Sequence, residues 1–202
     1  RNERIVTFLR LIRYVAAFLA LALPGLYVAA ATFHPQLLPG NLIRSMAEAR
    51  SGVPFPTAAE DLLMELSFEL LREAGLRMPG PAGNTIGIVG GLIVGQAAVS
   101  ANLVSPITVT VAALTALGSF SIPNEELSEV FRLWKYGILL LGSCFGILGV
   151  MLGCFLLLML MAEQESYGIP WLYPYVGGNL NERADEKDFF FKMRGRKNER
   201  LD

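Results

Sequence analysis

The chain has 202 residues, of which 53% are hydrophobic and 17% charged, with a net charge of -1 and a mean hydropathy of +0.46. That is too apolar for an ordinary soluble domain and points to an all-α membrane protein; the near-neutral balance gives no footing for nucleic-acid binding. His34 is the only histidine, so a metal centre or a histidine-based catalytic triad lacks ligands, and neither an enzyme nor a bound cofactor is expected.

The chain opens on "RNERIVTFLRL", without methionine and without the ordered regions of a secretory signal, and is expected to be a piece of a longer protein. Arg1, Arg4, Arg10 and Arg13 precede the first predicted span, 14–33, which carries Pro24 and Gly25 near its middle. Residues 34–56 hold four prolines and two glycines and read as a structured loop. An amphipathic helix is predicted over 57–74, opened by a Thr57/Glu60 capping box and closed at Gly75. Its Asp61, Glu65, Glu69 and Glu73 make one acidic stripe, with Leu63, Leu66, Leu70 and Ala74 on the other side. A charge stripe is ordinarily a solvated face; the sharper expectation is an acidic vestibule that concentrates cations. Arg72 is placed to pair with Glu69 within the helix.

Three further spans are predicted, over 84–104, 105–122 and 134–162, with "PNEELSEVFR" as an acidic turn before the last. Trp134, Lys135 and Tyr136 before the last run and "YGIPWLYPY" after it match an interfacial aromatic belt. Cys144 and Cys154 fall in that run, about 15 Å apart along one helix, too far to bridge. The tail, 181–202, has seven Lys/Arg and six Asp/Glu and is expected to be solvated and cytoplasmic. About four transmembrane helices plus one interfacial helix put both ends on one side, and the basic residues make that side cytoplasmic.

"TIGIVGGLIVGQAAVS", residues 85–100, is uncharged and rich in glycine, which is a poor helix in water. In lipid the backbone must bond internally, and glycines then let neighbouring backbones approach. Gly87, Gly91 and Gly95 form a packing ridge. Thr85, Val89, Ile93, Gln96 and Ser100 lie toward the other side, as a candidate pore lining with Val89 and Ile93 as an apolar gate. The alternative is that Gln96 only bonds a neighbouring helix. Gly142, Gly146, Gly149 and Gly153 form a second packing seam. The segment lacks the lysine and the strand-turn-helix context of a phosphate loop.

"GVPFPTAAEDLLMELSFELLREAGLRMPGPAGNTIGIVGGLIVGQAAVSANLVSPI", with "LPGLYVAAATFHPQLLPGNL" and "SYGIPWLYPY" in the same order, resembles the membrane region of the A subunit of GerA-type spore germinant receptors. The likeness covers residues 10–176. It implies an integral protein of the inner spore membrane that forms homo-oligomers in lipid. It also implies partners, a transporter-like B subunit and a lipoprotein C subunit, and a path for monovalent cations released at germination. A soluble domain before the membrane part is also implied, as is kinship with accessory germination channels. Set against the channel reading are a non-conducting scaffold subunit and, less well supplied because no internal repeat is found, a secondary transporter.

Overall fold

The computed structural model describes residues 3–77, 81–122, 125–163, 165–166 and 169–170. They form helices α1 (Glu3–Thr32), α2 (Gly40–Ala49), α3 (Thr57–Arg77), α4 (Pro81–Ser100), α5 (Pro106–Phe120), α6 (Glu125–Phe145) and α7 (Ile147–Glu163). A short 3-10 turn (Pro35–Leu37) links α1 to α2, and β1 (Glu165–Ser166) pairs antiparallel with β2 (Ile169–Pro170). The chain divides into two compact units, one of residues 1–15 with 155–202 and one of residues 16–154. In the first, the opening of α1 and the end of α7 carry exposed Ile5, Phe8, Leu11, Phe155, Leu158 and Met159. The second holds everything that follows.

Where prolines sit decides how 34–56 folds. The predicted loop contains the 3-10 turn, with Pro35 at its start, and α2, which begins after Pro39. Both prolines occupy helix starts, where a missing N–H costs nothing and the fixed φ is already helical. Helix α3 runs through Gly75 to Arg77 rather than ending there, and the predicted acidic turn at 125–129 is the first turn of α6. Between α4 and α5 the chain turns sharply through Asn102 at φ 54°, a left-handed geometry that asparagine tolerates. Ser105 then caps α5, its hydroxyl accepting from the Thr108 N–H, and Pro106 takes the first helical position.

The predicted span 134–162 is two helices, not one. Gly146 sits at φ +65° between α6 and α7, and the chain folds back on itself there. A Cβ on Gly142 would lie 3.0 Å from Val150, one on Gly153 would lie 2.8 Å from Ile138, and one on Gly149 would meet the Leu141 backbone. The Trp134 indole N–H donates to the Gly153 carbonyl at 2.9 Å. In a single straight helix residues 138 and 153 would be about 22 Å apart. The seam glycines therefore lie where α6 and α7 close on each other, and Gly142 also approaches the Gly25 carbonyl of α1. Cys144 and Cys154, now on different helices, are free thiols.

By length and composition one helix, over Ile5–Thr32, is long and apolar enough to cross a membrane; Pro106–Phe120 and Ile147–Glu163 are apolar but shorter. The 15 residues of α5 reach only about 22 Å against a hydrocarbon layer of about 30 Å. The expected set of four spans is thus met clearly by one helix among the described residues. One buried apolar cluster of this unit is Met64, Ala98, Val104 and Ala112, joining α3, α4 and α5, with Phe68, Val99 and Val109 around them.

Candidate functional site

Helix α3 is turned opposite to a solvated amphipathic helix. Leu62, Leu63, Leu66 and Leu70 face outward at 40–65% exposure, whereas Glu60, Asp61 and Glu65 are 0% exposed. The acidic stripe faces the other helices, so within one chain it forms no open vestibule at Asp61 and Glu65. Glu69 is partly exposed, and Glu73 is exposed and pairs with Arg77 on its own helix. A helix with leucines outside and acids inside has its charged groups answered by the protein and its apolar side by something other than water.

Most of the acids have partners. Glu60 Oε1 accepts from Arg50 Nε at 3.1 Å, and Oε2 accepts from the Ser105 N–H at 2.9 Å and the Thr108 hydroxyl at 3.1 Å. The expected capping box is replaced by this bond set, which places a carboxylate at the α5 N-terminus, where the helix dipole favours it. The Tyr27 hydroxyl lies 3.0 Å from Thr108 Oγ1; with the Thr108 proton directed at Glu60, tyrosine is the donor and α1 is tied to α5. Lys135 Nζ donates to Glu65 Oε2 at 2.6 Å and lies 3.9 Å from Glu69. Arg132 Nη1 donates to Glu69 Oε1 at 2.8 Å. Lys135 is itself buried. Neither Asp61 oxygen has a hydrogen-bond partner, nor does Glu65 Oε1.

Lys135 and Arg132 come from a stretch whose Lys135 reads in sequence as a membrane flank. Arg50 comes from the stretch read as a loop. Their pairing with α3 spans 10 to 70 positions and has no local signature; the only hint is basic residues three apart on the polar start of α6. Arg72 does not pair with Glu69 but lies over the Phe120 ring, 4.1 Å from its centre, as a cation–π contact.

Helix α4 sets two of its glycines against neighbouring helices. Gly91 approaches Phe68 of α3 and Gly95 approaches Val109 of α5, where an added Cβ would sit 3.2 and 3.1 Å from those side chains. Ile93, 60% exposed, points away with exposed Ser100, whereas Gln96, also exposed, borders the cavity that the glycine side shares with α3 and α5. Thr85, Gly87 and Val89 belong to α4, but their side-chain positions lie outside the described residues. A cavity of about 910 Å³ runs between α3, α4 and α5, lined by Phe68, Arg72, Leu92, Gln96, Val109 and Leu117 among others. Among the described residues no group of three metal-ligating side chains converges.

Helices packed around a buried ionic network, with one helix long and apolar enough to cross a membrane, define a mainly helical protein whose charged groups are turned inward. The chain belongs to the family described as Bacillus/Clostridium GerA spore germination protein, which it matches over residues 1–201. It is 43% identical over 184 residues to the uncharacterized membrane protein YfkQ of Bacillus subtilis (strain 168), covering 91% of this chain and 35% of that protein. It is 43% identical over 187 residues to spore germination protein GerLA of Bacillus cereus, covering 93% and 37%. Against spore germination protein A1 of Bacillus subtilis (strain 168) it is 40% identical over 168 residues, covering 83% and 35%. The chain thus spans about a third of the length of these relatives. No solved structure matches it.

Proposed function

We propose that the chain is the membrane part of a germinant-receptor A subunit that assembles into a homo-oligomer around an ion-conducting path. The observation that carries this reading is the free face of α4. Its glycines pack inward on α3 and α5, while Ile93, Gln96 and Ser100 stay exposed on a helix with no charged residue. A sparse polar stripe at membrane depth faces protein or a water-filled path rather than lipid. Copies arranged about an axis set Thr85, Val89, Ile93, Gln96 and Ser100 around it, with the apolar residues as a constriction that dewets when closed. On this reading the ions carried are monovalent cations. The place of action is the inner spore membrane, and the partners are the B and C subunits of the receptor.

The helices also support a fuller embedding than the four-span pattern. Tyr27, Glu60 and Ser105 bring the later part of α1 and the starts of α3 and α5 to one end. Gly146 joins them there through Phe33 and His34. Gly118 meets Ala16 and Ala20 at the other end, where Ser128 also bonds Ser119. Helices α1, α3, α4, α5, α6 and α7 therefore alternate in direction, and all six belong at membrane depth, with the leucines of α3 toward lipid.

The gate is tested by cation leakage from cells making Val89→Ala or Val89→Ser, normalised to assembled protein. Leakage above the parent without nutrient is expected. Leakage equal to the parent at normal protein amounts returns Gln96 to a helix contact.

A further inference from the structure

The buried ionic network does not balance. Arg50 answers Glu60, Lys135 answers Glu65, and Arg132 answers Glu69. Asp61, one residue from Glu60 and one helical turn from Glu65, is left over, fully buried and with no partner for either oxygen. Of the elements packed on α3, α6 brings the Lys135 ammonium within reach of its charge, but that group is hydrogen-bonded to Glu65. Helices α4 and α5 carry no charged residue, and the bases of α6, Lys135 and Arg132, are already committed to other carboxylates. The uncharged polar groups of this region, Tyr27, Ser105 and Thr108, are engaged with Glu60 and one another, and Thr115 donates to the Val111 carbonyl. An ionised carboxylate in such a place lacks both water and a partner of its own, and a buried group of this kind neutralises instead.

We propose that Asp61 is a proton-binding site, occupied in the packed structure, and that the bound proton supplies the one positive charge that the network lacks. A small metal cation fits less well. It needs several oxygens around it, and the cavity beside the network is lined by Glu69 and Lys135 but by neither Asp61 nor Glu65. A proton needs only the carboxylate. Its release would leave a net negative charge at the joint of α3, α5 and α6, on the helix that holds the glycine face of α4, so proton occupancy is coupled to the seating of α4.

The test is infrared spectroscopy of the intact receptor complex in lipid nanodiscs at neutral pH. Parent protein is compared with Asp61→Asn, the neutral isostere of the protonated acid, and with Glu73→Gln, which removes an exposed carboxylate instead. The expected result is a protonated-carboxyl stretch in the parent and in Glu73→Gln that is missing from Asp61→Asn and unchanged when sodium or potassium is added. Absence of that band in the parent overturns the proposal. So does its disappearance on adding either salt, which would make Asp61 a cation site. Asp61→Asn assembling poorly while Asp61→Glu assembles normally also overturns it, because a proton-holding position accepts the amide.

Discussion

Lys135 shows how much one side chain can decide. Its ammonium is buried against Glu65 at 2.6 Å, and it comes from a helix 70 positions further along the chain. Removing one partner of a buried pair leaves a charge without water or counter-ion, at a cost of about 3–5 kcal/mol. Lys135→Met should therefore lower the thermal midpoint of the detergent-solubilised protein sharply or abolish its accumulation in membranes. The double variant Lys135→Met/Glu65→Gln should recover most of the loss, because neither charge is then stranded. Equal damage in single and double variants would show that the lysine acts through shape alone. The acids of this network are legible in the sequence as a stripe at helical spacing. Their burial is not, because a stripe of charge and a stripe of leucine define two faces without saying which one meets the protein. Hydropathy reasoning assigns the leucines inward, as in water; in the structure they are exposed and the acids are not.

At the scale of an element, the α6–α7 turn rests on Gly146. Its φ of +65° belongs to the left-handed region, and an added Cβ would also lie 2.9 Å from His34. Gly146→Ala should destabilise the hairpin by about 1–2 kcal/mol from the backbone alone, and by more if His34 cannot yield. The readout is proximity of the two helices: a cysteine pair replacing Ile138 and Gly153 should cross-link readily in the parent background and poorly with Gly146→Ala. Unchanged cross-linking would mean that the turn does not depend on this glycine. The run from 137 to 162 reads as one long span because every residue in it is apolar or small. Gly142, Gly146, Gly149 and Gly153 are equally consistent with a packing seam on one helix and with the inner side of a hairpin, and only a positive φ separates the two. The glycine ridge of α4 is different. There the spacing of Gly91 and Gly95 fixes a packing face, and the structure sets that face on Phe68 and Val109.

For the whole molecule, the proposed embedding of six alternating helices keeps an even number of crossings, and on that proposal the basic residues at the start of the chain and along the tail place both ends in the cytoplasm. Single cysteines at Asn2 and at Asn198, in a background without Cys144 and Cys154, should both resist a membrane-impermeant thiol reagent applied outside sealed cells. Labelling of one alone would require an odd number. The class of fold and the family were legible because apolar content, punctuation by proline and glycine, and several long segments agree along the chain. The inward turn of the α3 acids was not, since their partners Arg50, Arg132 and Lys135 lie far along the chain. The central claim is that the free face of α4 lines a conducting path. Its most direct measurement is cation efflux through the assembled receptor bearing Gln96→Cys in the same cysteine-free background, before and after reaction with a charged thiol reagent. The account predicts block of the efflux once the thiol is modified; full modification with efflux unchanged would contradict it.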